Sequence, residues 1–147
     1  DGRSLWAAQA LGADLAYMGT RFIATRESLA KDAYKQMLVD ASMDDILLTK
    51  AFTGLETNML RPSIVAAGAD PDALPARGKI DIAKDISREV REDLEASGAR
   101  RWKDIWSAGH SVSGVDAVLG VGELVARVAR EYEDVRREAP AASGGAR

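Results

Sequence analysis

The chain has 147 residues, of which 46% are hydrophobic and 29% are charged, a composition typical of one soluble globular domain. The formal net charge of −3 gives no basic field for nucleic acid, and no apolar run reaches the roughly 20 residues that span a bilayer. The absence of cysteine excludes disulfides and thiolate metal sites and fits a cytoplasmic location.

The first twenty residues predict a helix and then a strand. Asp1 or Ser4 is placed to cap a short helix, and Gly12 is a natural stop for it. Residues 15–18 form a short apolar run that is typical of a buried strand. The Gly19–Thr20 pair then ends that strand.

The middle of the chain predicts further helices. Residues 25–40 carry apolar side chains at helical spacing, with Leu29 among those that we expect to face the core. Residues 46–49 are read either as a second short strand or as an irregular segment. Residues 58–67 predict a short helix with Pro62 near its first turn.

The last third of the sequence is also mainly helical. Residues 80–96 predict a charged helix with one apolar face, and residues 102–106 predict a short, tryptophan-rich helical turn. The apolar stripe within residues 121–133 predicts the clearest helix of the chain. Trp102 and Trp106 are interpreted as packing residues in preference to a ligand cage.

One convincing strand among several helices raises a physical problem. A buried strand needs hydrogen-bonded neighbours on its edges, and no other segment offers a parallel partner for residues 15–18. The order of helix, strand, Gly-Thr turn and helix is part of a repeating α/β unit. We therefore predict the α/β fold class and expect this chain to be the C-terminal part of a larger domain.

Several short motifs occur in one order along the chain. They are Asp1-Gly2-Arg3, Leu11-Gly12-Ala13, Met18-Gly19-Thr20-Arg21-Phe22, Asp32-Ala33-Tyr34-Lys35-Gln36, Ala51-Phe52-Thr53-Gly54 and the turn from Ala108 to Gly114. In this order the chain resembles the nitronate monooxygenase family, also called 2-nitropropane dioxygenases, from residue 1 to about Tyr132. The resemblance implies the C-terminal portion of a (β/α)8 TIM barrel followed by a helical extension.

The resemblance divides the chain into three parts. Residues 1–25 would be the last βα repeat with its phosphate-binding loop, and residues 26–137 a helical region that packs on the barrel and the flavin face. Residues 138–147 predict a disordered tail by composition.

The cofactor implied by the resemblance is flavin mononucleotide (FMN), lined by Tyr17, Met18, Gly19 and Thr20. Backbone amides after the last barrel strands commonly bind phosphate, and a glycine allows close approach. Taken without the family, Gly19–Thr20 is better explained as a plain turn that ends a strand, and the resemblance favours the phosphate site instead. Arg21 either adds charge to the phosphate site or forms an outward salt bridge, and Arg3 in the preceding loop has the same two interpretations.

The stretch "AGHSVSG" places the only histidine beside a serine. A nucleophile elbow is excluded because Ser113 replaces the second glycine and no other histidine can serve as a base. A metal site is not expected, because His110 has no clustered partner ligands in sequence. By resemblance the turn faces the substrate, so His110 and Ser111 are candidate substrate-proximal residues. The alternative is a structural turn whose histidine bonds a backbone carbonyl.

The resemblance implies oxidation of alkyl nitronates by molecular oxygen, giving a carbonyl compound and nitrite. No catalytic residue is assigned, because the family's catalytic histidine lies in a segment that this sequence lacks. One alternative is an NAD(P)H-dependent flavin reductase of quinones or enoyl thioesters, and another is a non-catalytic helical interaction module. The expected partners are a small nitronate or nitroalkane, oxygen and the N-terminal part of the same barrel, and a homodimer is one assembly we consider.

Overall fold

Five helices and one two-stranded sheet are found in residues 1–74 and 104–142, which a computed structural model describes. In chain order they are α1 (Gly2–Ala10), α2 (Thr20–Ile23), α3 (Asp32–Asp40), β1 (Ile46–Thr49), β2 (Thr57–Leu60), α4 (Arg61–Ala66) and α5 (Val121–Ala142). Two short 3-10 turns, Met43–Asp45 and His110–Gly114, complete the set. The predicted helix at residues 80–96 and Trp102 lie outside the described residues.

Helix α1 begins and ends where the sequence predicts. The side chain of Asp1 accepts a hydrogen bond from the amide of Ser4 at 2.8 Å, which satisfies one of the free amides of the first turn. Gly12 follows the helix with a φ of 101°, a conformation that glycine adopts without steric cost.

The start of α1 lies directly against the middle of α5. The amide of Gly2 donates to the carboxylate of Glu131 at 2.8 Å. A Cβ atom added at Gly2 would lie 2.3 Å from both the Tyr132 nitrogen and the Val128 oxygen. Only a residue without a side chain allows this approach of the two backbones, so Gly2 fixes the contact between the two helices.

Helix α5 confirms the predicted helix from residue 121 and extends it. The carboxylate of Glu27 accepts the amide of Val121 at 3.0 and 2.9 Å and so caps the helix. Leu124 is buried, whereas Val125, expected on the same apolar stripe, is half exposed. The helix continues past residue 138, where the disordered tail was predicted to begin, and residues 143–147 lie outside the described part.

The strand predicted at residues 15–18 is not formed within the described part of the chain. This segment carries no strand pairing within the described residues, and the side chains of Leu15 and Tyr17 are 91% and 100% exposed. The sheet pairs β1 with β2 and no other strand. Residues 15–17 are therefore exposed in the described chain, and Met18 is partly buried.

The helix predicted from residue 25 begins seven residues later, at Asp32. Thr25 instead forms a parallel bridge with Leu119, and the amide of Arg26 donates to the Leu119 carbonyl at 2.9 Å. These long-range bonds replace the local bonds of a helix, and Leu29, expected to face the core, is fully exposed. Tertiary pairing thus overrides helical periodicity here.

The segment from residue 46 to residue 66 forms a hairpin and a short helix. Residues 46–49, for which both a strand and an irregular segment were considered, form β1, which pairs antiparallel with β2 in the register Ile46 to Leu60. The helix predicted from residue 58 begins only at Arg61, with Pro62 in its first turn. The residues before it are a strand because they pair with β1.

The helical turn predicted around Trp106 is also replaced by extended chain. The amide of Leu60 donates to the Trp106 carbonyl at 2.8 Å, and Ser107 bridges Met59, so this segment runs beside β2. The packing interpretation of Trp106 is supported, since its buried ring stacks on Tyr34 with centroids 4.9 Å apart. The Tyr34 hydroxyl donates to the Ser107 carbonyl.

The buried side chains form two apolar clusters. The larger lies beneath the turn at residues 108–115, and the smaller lies beneath the hairpin. The larger contains Ala24, Leu38, Ala41, Leu60, Trp106, Ala108, Val112 and Val115, and the smaller contains Phe52, Met59, Ile64 and Ile105. The turn and α2 are thus anchored on one packed surface.

We predict that Gly2→Ala lowers the free energy of unfolding by about 1–3 kcal/mol, because the added methyl group forces α1 away from α5. Urea unfolding measures the change. Gly122→Ala is the matched control, because Gly122 lies in α5 and a Cβ there meets no atom within 4 Å. Equal stability of the Gly2 variant and the wild type would contradict the close packing.

Candidate functional site

A cleft of about 470 Å³ opens between three segments that are distant in sequence. They are the first turn of α1, the residues that lead into α2, and the 3-10 turn after Gly109. The lining residues are Asp1, Ser4, Leu5, Ala16, Tyr17, Met18, Gly19, Thr20, Arg21, Gly109, Ser111 and Gly114. Its volume lies in the range of small-molecule sites.

Gly19 gives the cleft an open wall. It precedes α2 with φ −103° and ψ −69°, a backbone conformation that other residues also adopt, so the turn itself does not require glycine. A Cβ at this position would meet no atom within 4 Å. The missing side chain therefore leaves the peptide groups of this wall accessible to a ligand.

Thr20 connects two walls of the cleft. Its Oγ1 accepts a hydrogen bond from the amide of Gly109 at 2.8 Å, and the residue is 8% exposed. A hydroxyl that accepts one bond keeps its own hydrogen as a donor. The side chain therefore holds the Gly109 turn and retains a donor at the cleft.

All four residues predicted to line the flavin, Tyr17, Met18, Gly19 and Thr20, lie together at this cleft. Tyr17 is fully exposed, whereas Met18 is half buried. Gly19 and Thr20 lie at the start of α2 and provide peptide amides and one hydroxyl. These are the groups that bind the oxygens of a phosphate.

The two candidate substrate-proximal residues are separated by the structure. Ser111 lines the cleft, but His110 is exposed and is not one of the lining residues. The Nδ1 atom of His110 lies 3.5 Å from the Nδ2 atom of Asn58. The turn thus offers one hydroxyl to the cleft and directs its imidazole toward the hairpin.

Arg21 lines the cleft and forms the salt bridge that was one of its two interpretations. Its guanidinium donates to the Ala117 carbonyl at 3.0 Å and to Asp116 at 3.1 Å. Asp116 also receives two hydrogen bonds from Arg127, at 2.8 and 2.6 Å. Arg3 is exposed and is not one of the residues that line the cleft.

The charges around Arg21 are balanced by their partners. The bonds from Arg127 hold the pKa of the Asp116 carboxyl below its ordinary value, with further help from Arg21, against a smaller effect of burial. Arg127 also binds Glu131 through its Nε at 2.9 Å, and these two carboxylates raise its pKa. Arg21 therefore brings little unbalanced positive charge to the cleft.

Sequence reasoning missed several lining residues. Ser4 and Leu5 come from the first turn of α1, and Gly114 ends the 3-10 turn. The predicted cap at Asp1 was the available signal for the first turn, since a helix start presents free amides. No pattern in sequence indicates that Asp116 faces Arg21, because that pairing depends on the path of the chain between α2 and α5.

Metal and membrane sites receive no support from the described residues. In residues 1–74 and 104–142, no three His, Cys, Asp or Glu side chains are grouped so as to hold a metal ion. None of the helices found there has the length and apolarity that a membrane crossing requires.

Comparison with known proteins identifies the family. The model of the nitronate monooxygenase family matches residues 1–131, so the chain belongs to that family. A nitronate monooxygenase of Paraburkholderia phytofirmans is 30% identical over 133 residues, which cover 90% of this chain and 36% of the relative. A probable nitronate monooxygenase of Staphylococcus haemolyticus is 28% identical over 108 residues, covering 73% of this chain and 29% of the relative. The chain thus spans about a third of the length of these relatives.

Two further relatives carry other names. An octahydroindene carboxyl-CoA dehydrogenase of Mycobacterium tuberculosis is 38% identical over 65 residues, covering 44% of this chain and 18% of that protein. The solved structure of FabK from Thermotoga maritima matches 96% of this chain and 44% of its own, with a TM-score of 0.68 and 26% sequence identity. The described α/β arrangement therefore occurs as part of a larger chain in that protein.

We predict that Asp116→Asn lowers the free energy of unfolding at neutral pH by about 0.5–1 kcal/mol, a small value because the carboxylate is half exposed. Since folding lowers the pKa of this group, its contribution is present above the ordinary carboxyl pKa and disappears as the pH falls through the lowered value. Unfolding of both proteins between about pH 7 and pH 2 measures the difference.

The exposed Asp14 provides the control, because Asp14→Asn also removes one carboxylate and is expected to leave the stability unchanged. If the difference in the free energy of unfolding between the wild type and the Asp116 variant stays constant down to the lowest pH, the proposed role of the Asp116 charge is contradicted.

Proposed function

We propose that the protein is a flavin-dependent oxidoreductase that binds the phosphate of FMN at Gly19 and Thr20 and oxidises alkyl nitronates with oxygen. The supporting observation is the cleft itself, which brings the Gly19–Thr20 wall and Ser111 to one opening from positions about ninety residues apart. Family membership supplies the class of chemistry.

The residues at the cleft fit a phosphate. The wall at Gly19 has space for an approaching group, and the hydroxyl of Thr20 retains a donor. Asp1 is the acidic group at the opening, and its carboxylate already caps Ser4. Since Arg21 is balanced by Asp116, we propose that peptide dipoles and the Thr20 hydroxyl provide the main attraction for the anion.

We propose that residues 1–25 form the last βα unit of a (β/α)8 barrel. The exposed apolar segment at residues 15–18 supports this, because an extended apolar run with free edges is suited to pairing with parallel strands. The neighbouring strands would belong to a part of the protein that precedes Asp1, as the greater length of the relatives suggests. A cytoplasmic location is part of the same proposal.

The described residues would bind and orient the reactants. The redox chemistry, removal of electrons from a nitronate and their transfer to oxygen with release of a carbonyl compound and nitrite, would be supplied by bound FMN. Ser111 would donate its hydroxyl hydrogen to an oxygen of the anionic substrate. His110, which points to Asn58, would shape the turn and not hold a proton at the substrate. The general base would come from outside this chain.

An NAD(P)H-dependent flavin reductase is the second candidate. It is favoured by the similarity of this chain to a dehydrogenase of a carboxyl-CoA compound over 65 residues. The same phosphate wall serves both reactions, so Gly19 and Thr20 do not discriminate between them. The family match argues against the third alternative, a helical interaction module without a cofactor.

Two assays of the flavin-loaded protein test the proposed function, one with a nitronate in air and one with NADH in the absence of oxygen. We expect propionate 3-nitronate in air to be consumed with release of nitrite and uptake of oxygen. NADH in the absence of oxygen is expected to reduce the bound flavin slowly. Rapid reduction by NADH together with no turnover of the nitronate would replace the proposed activity with the reductase.

We predict that Gly19→Asp weakens the binding of FMN at least about tenfold, because it places a carboxylate beside the phosphate. Riboflavin, which lacks the phosphate, should lose much less affinity. Quenching of flavin fluorescence measures both dissociation constants. The unfolding midpoint should remain close to that of the wild type, since the new Cβ has free space.

Gly122→Asp is the matched control, because it introduces the same charge at another open glycine that does not line the cleft. Equal losses for FMN and riboflavin in the Gly19 variant would argue against a phosphate at this wall.

A further inference from the structure

The hydrogen bond between Gly109 and Thr20 connects the proposed phosphate wall with the turn that carries Ser111. Gly109 is the residue that precedes the 3-10 turn, and Ser111, two residues later, lines the cleft. The amide of Gly109 donates to Thr20 Oγ1 at 2.8 Å. The side chain proposed to contact the phosphate therefore also contacts the backbone that carries Ser111.

Other contacts of the turn involve its later residues. Val112 is fully buried, and its amide donates to the Gly109 carbonyl at 3.0 Å. Ser113 accepts the amide of Met43 at 2.8 Å through its Oγ. These contacts fix the middle and the end of the turn, whereas its beginning is held at the cleft by Thr20.

The backbone of Gly109 is in van der Waals contact with the Thr20 hydroxyl as well as bonded to it. A Cβ added at Gly109 would lie 3.4 Å from Thr20 Oγ1, so the backbone of the turn already lies against the hydroxyl. A hydroxyl that donates to an anion becomes a stronger acceptor, because hydrogen bonds in a chain polarise one another. An anion at the cleft would therefore tighten the bond to Gly109.

We propose that Thr20 is a positioning residue for the substrate-side turn: it places Ser111 through the Gly109 amide, and an anion bound to its hydroxyl strengthens that hold. The first half of the inference stands on the bond alone. The second half rests on the proposed function, since it takes the phosphate of FMN as the anion. Binding of FMN and the position of the turn that carries Ser111 are thereby linked through the Thr20 side chain.

Amide hydrogen exchange of the full chain tests the link directly. In the absence of ligand, Thr20→Val is expected to raise the exchange rate of the Gly109 amide about fivefold relative to the wild type. Thr20→Ser keeps the hydroxyl and should restore the wild-type rate. The buried Leu124 amide of α5 serves as the internal reference, so that a change in global stability is removed from the comparison.

Ligand addition tests the second half. Saturating FMN should slow exchange at Gly109 in the wild type and in Thr20→Ser, whereas riboflavin should have little effect. In Thr20→Val, FMN should no longer slow Gly109. Ser113→Ala is the matched control, because it loosens the far end of the turn and should leave the effect of FMN on Gly109 in place.

Each failure has a separate meaning. Equal exchange of Gly109 in the Val and Ser variants, after correction with Leu124, would overturn the positioning role. Equal protection by riboflavin and FMN would overturn the dependence on the anion. If FMN does not bind at all, the proposed function and the second half fail together, and the ligand-free comparison still decides the first half.

Discussion

The structure depends on a line of hydrogen bonds between two segments that are far apart in sequence, residues 20–27 and residues 109–121. From one end to the other, the bonds are Gly109 to Thr20, Arg21 to Asp116 and Ala117, Arg26 to Leu119, and Val121 to Glu27. The first of them forms a wall of the cleft, and the last starts α5, the longest helix among the described residues. The wall of the cleft and the start of α5 are therefore held by one series of hydrogen bonds between these two segments.

The same line of hydrogen bonds engages Arg21, the positively charged residue that lines the cleft. Arg21 is drawn to Asp116, which Arg127 binds through two hydrogen bonds, so the guanidinium serves mainly to fix the chain after α2. In the proposed function, the attraction for the phosphate of FMN would then come from the uncharged groups near Gly19 and Thr20. Fixed dipoles of this kind select for shape and for the number of oxygens as well as for charge.

Sequence alone predicted the parts that depend on local chemistry, such as the Asp1 cap and the start of α5. The family resemblance singled out Tyr17, Met18, Gly19 and Thr20, all of which line the cleft. No periodicity in the sequence marks these residues as part of a site. Local pattern failed where distant segments pair: Leu29 follows helical spacing, yet the bonds of Thr25 and Arg26 to Leu119 delay the helix. The strand predicted at residues 15–18 is likewise not formed in the described chain, which contains no neighbouring strand to pair with it.

Helix α5 makes one contact after α2 and a second with the start of α1, and its length sets the distance between them. It starts at the carboxylate of Glu27 and meets the amide of Gly2 at Glu131, ten residues or about 15 Å further on. One inserted residue in this interval would turn Glu131 by about 100° around the helix axis and away from α1. An insertion in this interval is therefore expected to disrupt the packing of α1 on α5 more than a substitution of one of its exposed side chains that makes no contact.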